Sequence, residues 1–321
     1  MKKTVALGVL MALALNVTSV FAAANQVNVN VDTGTTVNVN VQQKARPVGE
    51  VANWEKAETA VIIEMGTGVV NPEFRGAQAK LMARRAAMVD CYRNLLQRVQ
   101  ELQIDANTDV GNLMAQSDVV NTRINGAIKG ARIIDEGEQG SGEDYYYWVK
   151  MSLPVFGSNS VAAAALPEVM KNTPTAQPPA MVTKKNTVMT KAEFKEVKQE
   201  VKTAGYTGIV IDAAGTGLET TMAPQIIDTN GRVVYGMENI DVDFAVAHGL
   251  VEYSKDLQAA AGGSTRAGTN PLVIKATGVK GGTNSVNPVN VTVSPEDADK
   301  ILLAAQNNPD LFTNGAVVFV R

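Results

Sequence analysis

The side chains of this sequence that could carry out chemistry are few, and most of them stand alone. The chain has one histidine, His248, and one cysteine, Cys91, which excludes a zinc site built from nitrogen and sulfur ligands. His248 would also have to be the base of any nucleophilic mechanism, but no Gly-x-Ser-x-Gly turn occurs in the chain. Asp241 and Asp243 stand two residues apart, a spacing that an acid/base pair shares with an ordinary solvated face. The sequence therefore predicts no catalytic residue, no metal and no cofactor, with His248 on a helix surface or at a helix end.

Three short motifs that resemble ligand-binding loops are incomplete. Residues 228–231 (Asp-Thr-Asn-Gly) begin like a calcium loop but lack its later ligands and its closing glutamate, so we predict a hairpin turn. Residues 66–68 and 215–217 (both Gly-Thr-Gly) follow predicted strands, as dinucleotide-binding loops do. Neither motif supplies a third glycine or opens a helix directly, so we interpret both as loop glycines.

The composition of the chain limits its possible partners and the number of its domains. The formal net charge is −3 and no basic block occurs, so nucleic acid is not a predicted partner. A 321-residue chain with 45% hydrophobic residues is long enough for about two folded domains. Its lone cysteine cannot form an internal disulfide, so Cys91 is predicted to be a small buried hydrophobic residue.

The first 22 residues are typical of an export signal. Lys2 and Lys3 precede an apolar run over residues 5–15, and Val20 and Ala22 form a small-residue cleavage site; a retained membrane anchor is the alternative. No cysteine lies at that site, so no lipid anchor is predicted. We expect an exported protein that is periplasmic or associated with the outer membrane or cell surface.

Residues 23–47 form a predicted β-hairpin arm. Valine alternates with asparagine in two runs around a glycine-containing turn, which predicts one valine face and one asparagine face. Two roles stay open for this arm, docking on its own domain or adding a strand between subunits. In the second role the candidate assembly contacts are the valines Val27, Val29, Val31, Val37, Val39 and Val41.

The remaining elements predict an α+β fold of two small domains. Each domain is expected to be a mixed or antiparallel sheet with helices packed on one face. The domains are predicted over residues 48–157 and 191–321, and an Ala/Pro-rich linker over residues 158–190 joins them. A long helix over residues 76–100 organises the first domain. Helical spacing predicts that its apolar face consists of Ala77, Leu81, Met88, Tyr92, Leu95 and Val99, widened by Met82, Val89 and Leu96.

Several stretches resemble the domain of the LPP-twenty-type envelope lipoproteins, a group that includes the flagellar proteins FlgP and, more distantly, FlgT. In the first half the similar residues are 83–87 (Ala-Arg-Arg-Ala-Ala), Asp90, 92–95 (Tyr-Arg-Asn-Leu) and 130–134 (Gly-Ala-Arg-Ile-Ile). Residues 206–213, Pro224, Gly231 and 234–236 resemble a C-terminal extension of some longer members.

The resemblance implies a noncatalytic envelope protein, and some relatives form rings around the flagellar motor. The predicted function is therefore protein–protein contact in the envelope, with envelope or flagellar proteins or a second copy as partner and peripheral outer-membrane association without a lipid anchor. Two alternatives stay open. One is an enzyme acting on an envelope polymer through Asp241, Asp243 or His248, and the other is a small-ligand binding module between the domains.

Overall fold

The computed structural model describes residues 27–31, 35–39, 53–69, 74, 76–172, 175–282 and 287–321. The chain divides into two units, residues 1–46 and residues 47–321. The predicted signal segment, with Val20 and Ala22, lies outside the described residues, and so does Val41.

The described part of the first unit is a hairpin. Strands β1 (Val27–Val31) and β2 (Thr35–Val39) pair antiparallel. Val29 lies opposite Val37 and Asn28 opposite Asn38. The hairpin pairing forms as the alternation predicts, and the valine and asparagine faces stay a prediction.

The first half of the second unit is a three-stranded antiparallel sheet in the order β3-β5-β4, covered on one face by a long helix. Its elements, in chain order, are β3 (Val61–Gly68), α1 (Gly76–Gln100), α2 (Val110–Gln116), α3 (Asp118–Lys129), β4 (Arg132–Gln139) and β5 (Tyr146–Pro154). The helix occupies the predicted residues 76–100.

Small residues form the contact between α1 and the sheet. A β carbon added at Gly66 of β3 would lie 2.1 Å from the Cys91 nitrogen and 2.3 Å from the Ala87 oxygen, so the helix backbone rests directly on the strand. Gly66 and Gly68 are therefore strand residues, and the interpretation of residues 66–68 as a loop is wrong. The residues of α1 that are fully buried recur every four positions: Ala83, Ala87, Cys91, Leu95 and Val99.

The apolar face predicted for α1 is partly wrong. Leu81, Met82 and Val89 are 63%, 41% and 56% exposed, although helical spacing placed them on or beside the buried face. The close approach to β3 selects small side chains rather than the most hydrophobic ones. Larger aliphatic side chains in the first half of the helix are left outside. Cys91 is buried, as predicted, and its Sγ donates to the Glu64 carbonyl oxygen.

The second half of the unit contains two four-stranded sheets. Its elements are α4 (Val161–Val169), α5 (Lys191–Ala204), β6 (Gly208–Asp212), β7 (Ile226–Asp228), β8 (Val233–Tyr235), α6 (Val242–His248), β9 (Glu252–Ser254), α7 (Leu257–Ala261), β10 (Pro271–Lys275), β11 (Gly278–Lys280), β12 (Asn290–Val293), α8 (Pro295–Asn307), α9 (Asp310–Thr313) and β13 (Val317–Val320). One sheet, β10-β6-β13-β9, is entirely parallel, and the other, β11-β12-β7-β8, is mixed. The α+β class is confirmed, and the sequence did not reveal the parallel pairing.

The hairpin turn between β7 and β8 forms as predicted. Gly231 has a φ of +90°, and Asp228 accepts hydrogen bonds from the backbone nitrogens of Asn230 and Arg232. The same carboxylate accepts from Arg232 Nε at 2.9 Å. Arg232 Nη2 lies 2.8 Å from Oδ1 of the fully buried Asp299, an ion pair without hydrogen-bond alignment. Two buried aspartates thus share one arginine.

Much of the segment predicted as a linker is folded. Helix α4 is capped by Ser160, whose hydroxyl accepts from the Ala163 nitrogen, and most of its alanines are buried. Further along, Thr187 Oγ1 donates to Asp299 Oδ2 at 2.6 Å and Gln306 Nε2 donates to the Ala180 oxygen at 2.7 Å. Alanine favours helix and packs closely, so the run of alanines marks a buried helix rather than a spacer.

The two halves of the second unit share a core. Trp54 packs edge-on against Phe156 at 5.9 Å and against Tyr253 at 6.2 Å between ring centroids. The Ala223 nitrogen donates to the Ile104 oxygen at 2.7 Å. The predicted domain limits, 48–157 and 191–321, stay a prediction, but contacts of this kind hold the halves together.

Candidate functional site

A polar pocket of about 300 Å³ lies where the two halves meet. A short 3-10 turn (Ala57–Thr59) forms one wall, and α6, β9 and the loop after α7 form the others. The ionisable side chains that line it are Lys56, Glu58, His248, Glu252 and Arg266. It is the one place described by the structure where the lone histidine meets other titratable groups.

His248 ends α6, as predicted for a histidine at a helix end. Its ring packs on Phe244 at 4.6 Å between centroids, and its Nδ1 lies 3.7 Å from Glu58 Oε1. Both side chains are largely exposed, at 45% for His248 and 68% for Glu58, so water screens the pair.

Asp241 and Asp243 do not join His248. The Asp241 carboxylate caps the other end of α6 by accepting from the Asp243 and Phe244 nitrogens at 2.9 and 3.4 Å. Seven helical residues, about 10 Å, separate this cap from His248. Asp243 itself is exposed. The three side chains of the enzyme alternative therefore do not converge on one site.

Arg266 forms the floor of the pocket. Its Nη1 donates to the carbonyl oxygens of His248 and Gly249 at 3.2 and 3.3 Å, which satisfies the C-terminal end of α6. Its backbone nitrogen donates to Glu252 Oε2 at 2.8 Å. Nε and Nη2 have no solvent contact and no hydrogen-bond acceptor among the described residues.

Burial sets the electrostatics of this floor. Removal from water lowers the pKa of the Arg266 guanidinium and raises the pKa of the Glu252 carboxyl. An arginine stays charged even so, and two of its donors lack acceptors. The pocket is chemically suited to hold a small polar ligand, because side chains of both charges, Lys56 and Arg266 with Glu58 and Glu252, line it. Among the described residues, no cluster of His, Cys, Asp and Glu could hold a metal ion.

The sheet of the first half presents a second kind of surface. On β3, the Thr67 nitrogen donates to Asp90 Oδ2 at 2.9 Å, and Asn94 Nδ2 donates to the Met65 oxygen at 2.8 Å. Side chains of α1 thus occupy part of the free edge of β3. The other edge strand, β4, points Glu136 and Glu138 toward α1, where they pair with Arg84 at 2.7 Å and with Lys80 at 2.9 Å. Inward charges of this kind discourage indiscriminate strand pairing.

The outer face of this sheet is open. Ile63 and Met65 of β3 are 38% and 50% exposed, and Trp148 of β5 is half-buried, with its indole lying over Gly137. No described element of residues 53–321 covers this face. It is the second candidate site, and Ile63, Met65 and Trp148 give it aliphatic and aromatic groups.

An antiparallel sheet with one long helix packed across it makes the first half an α+β domain. Residues 65–151 match the model of the LPP20 lipoprotein family, which confirms the predicted resemblance for this region. Residues 208–321 match the model of the second domain of Treponema pallidum Tp0624. No curated protein matches the chain.

The family match indicates an envelope-associated, exported protein. It does not extend to the flagellar proteins FlgP and FlgT, which stay a prediction. Among the helices that the structure describes, none has the length and hydropathy needed to cross a bilayer.

The pocket was missed by the sequence analysis except for His248. Its other ionisable residues come from positions 56–58, 252 and 266, and no local pattern links them. Arg266 follows Gly-Gly-Ser-Thr in a stretch whose composition indicates only a loop.

Proposed function

We propose that this protein is a noncatalytic component of the cell envelope that acts by binding other proteins. The observation that carries the proposal is the open outer face of the LPP20-domain sheet, where Ile63, Met65 and Trp148 lie on a surface free of catalytic groups. A sheet face with aliphatic and aromatic side chains is suited to packing against a partner. The proposal includes an outer-membrane-associated or flagellar assembly as its specific setting.

The valine/asparagine arm is the second contact element. A two-stranded hairpin is too small to be stable alone, so its predicted valine face is expected to pack on another surface; the valines are Val27, Val29, Val31, Val37 and Val39. Val41 continues the same alternation in the sequence. Docking on the same chain and strand addition to a second copy both remain open for the arm.

Two measurements test this function. Analytical sedimentation of the protein lacking residues 1–22 measures its oligomeric state, with and without residues 23–45. The form that keeps the arm should be an oligomer, and the form without it should contain fewer copies. A photo-crosslinking residue at Met65 should give discrete protein adducts in the cell that makes the protein, whereas the same residue at the exposed Lys184 should not. A monomer in both forms at high concentration, together with no adduct specific to Met65, would contradict the proposal.

A small-ligand function is the second candidate, and the pocket at the junction of the halves favours it. The specific observation is about 300 Å³ of space lined by charged side chains, Lys56, Glu252 and Arg266 among them. A thermal-shift series with small carboxylates and phosphates should raise the melting temperature of the wild type, and Lys56→Ala should reduce the shift because it removes a cation from the pocket wall. No shift with any anion would rule this function out.

A further inference from the structure

The exposed side of α1 carries an unusual combination of residues. Leu81 and the adjacent Met82 are followed by Arg85, Val89 and Arg93 at three- and four-residue spacing, and all five are exposed. We call these five residues the outer strip. It exists because the alanines and Cys91 of the same helix take up the contact with β3.

The charges on the outer strip have one sign. Arg85 and Arg93 flank the aliphatic side chains, the strip has no acidic residue, and no acid of the described residues forms an ion pair with either arginine. The neighbouring cations Lys80 and Arg84 differ, because each is paired with a glutamate of β4. The chain as a whole has a net charge of −3, so the charge of the outer strip has the opposite sign to the net charge of the chain.

We infer that the outer strip docks on an anionic phospholipid surface. Aliphatic groups flanked by arginines are the pattern of helices that lie in the interface of a bilayer, where the aliphatic groups enter the acyl boundary and the cations meet phosphate. A second copy of the chain fits less well. A stable dimer buries about 800 Å² on each partner, and three aliphatic side chains over about 12 Å of helix do not supply that area.

This inference rests on the envelope location in the proposed function, but it uses different residues from the protein-contact surface. The outer strip lies on α1, whereas Ile63, Met65 and Trp148 lie on the opposite face of the sheet. One molecule could therefore meet lipid with one side and a protein with the other. Contact of this kind would hold the protein at the surface of a membrane.

The experiment is co-sedimentation of the protein lacking residues 1–22 with phosphatidylethanolamine–phosphatidylglycerol vesicles and with phosphatidylcholine vesicles. Binding is expected to the anionic vesicles only and should fall as salt is raised. Arg85→Gln and Arg93→Gln should each lower the partition coefficient about fivefold, and Leu81→Gln should lower it by a similar factor. Lys184→Gln with Lys185→Gln is the matched control, since it removes two exposed cations elsewhere and should leave binding unchanged.

The outcomes separate lipid from protein. Circular dichroism should show that the strip variants fold as the wild type does, because the substituted side chains are exposed. No binding to anionic vesicles, equal binding to neutral vesicles, or equal loss in the lysine control would overturn the inference. The inference would also be overturned if the protein formed a dimer that the strip variants abolish, because the outer strip would then bind a second copy of the chain rather than lipid. If the photo-crosslinking residue at Met65 gives no protein adducts while the protein still binds anionic vesicles, only the proposed protein contact is contradicted.

Discussion

The contact between Gly66 and α1 allows a direct test of the fold by one added methyl group. In Gly66→Ala the new carbon would lie 2.1 Å from the Cys91 nitrogen and 2.3 Å from the Ala87 oxygen, whereas non-bonded heavy atoms prefer about 3.5–4.0 Å. Both neighbours are backbone atoms, so no side chain can rotate away. The helix itself must move outward by about 1 Å or more.

The magnitude follows from what that movement breaks. Overpacking a well-packed core costs about 1–3 kcal/mol when side chains can adjust. Here the shift also opens a gap along Ala83, Ala87 and Cys91, and a gap of about 0.5–1 Å forfeits a quarter to a half of each dispersion contact. We therefore expect Gly66→Ala to lower the free energy of unfolding by about 3 kcal/mol or more.

Equilibrium unfolding in urea, followed by tryptophan fluorescence, measures this loss. Trp148 lies on β5 beside β3 and reports on the affected sheet. The matched control is Gly126→Ala in α3, where an added β carbon meets nothing within 4 Å, so the variant should be more stable by about 0.5–1 kcal/mol. If Gly66→Ala unfolds within about 1 kcal/mol of the wild type, the close approach of helix and strand is wrong.

Three further changes have defined outcomes. Asp90→Ala removes the acceptor of the Thr67 N–H on the edge of β3 and should cost about 1–2 kcal/mol of unfolding free energy in urea titration. Arg232→Met leaves two buried aspartates without their cation and should cost about 3–5 kcal/mol, measured in the same way. Burial raises the pKa of Glu219 above 4.5, so its folded form binds a proton more tightly than its unfolded form, and stability falls as pH rises through the folded pKa. Glu219→Gln should therefore be more stable than the wild type at neutral pH, with the difference vanishing below about pH 4.5 in thermal melts across pH.

Each of these expectations has its own control. Thr59→Ala loses only an exposed hydroxyl contact and should leave the urea midpoint nearly unchanged, in contrast to Asp90→Ala. Lys171→Met removes an exposed cation from a surface pair and should be almost neutral beside Arg232→Met. A pH-independent difference between Glu219→Gln and the wild type would show that the carboxyl is not the source of the effect.

Local chemistry predicted much of the fold. The Asn230-Gly231 turn and the limits of α1 both follow from residues that act within one or two turns of themselves. Strand β9, between α6 and α7, forms because it pairs with β13 from the far end of the chain. Pairing of that range leaves little local trace in the sequence.

The face of α1 was mispredicted for a physical reason. A prediction from hydrophobic periodicity buries the side chains with the most favourable free energy of transfer from water. The interface between α1 and β3 instead admits only small side chains, because Gly66 and Gly68 bring the two backbones together. The pocket could not be predicted at all, since Arg266 and Glu252 meet Lys56 only through tertiary packing. A single histidine with no partner motif was the sole sequence signal, and it indicated the helix end that the structure shows.

The four-residue recurrence of the buried side chains in α1 has a geometric consequence. Four residues turn an α-helix by about 400°, so each step from Ala83 to Val99 rotates the line of contact by about 40° around the cylinder. The face of α1 that points away from the sheet therefore rotates about the helix axis from one end of the helix to the other. A flat surface that contacts Leu81 from outside can therefore follow the helix for only about three or four turns, which takes it as far as Arg93.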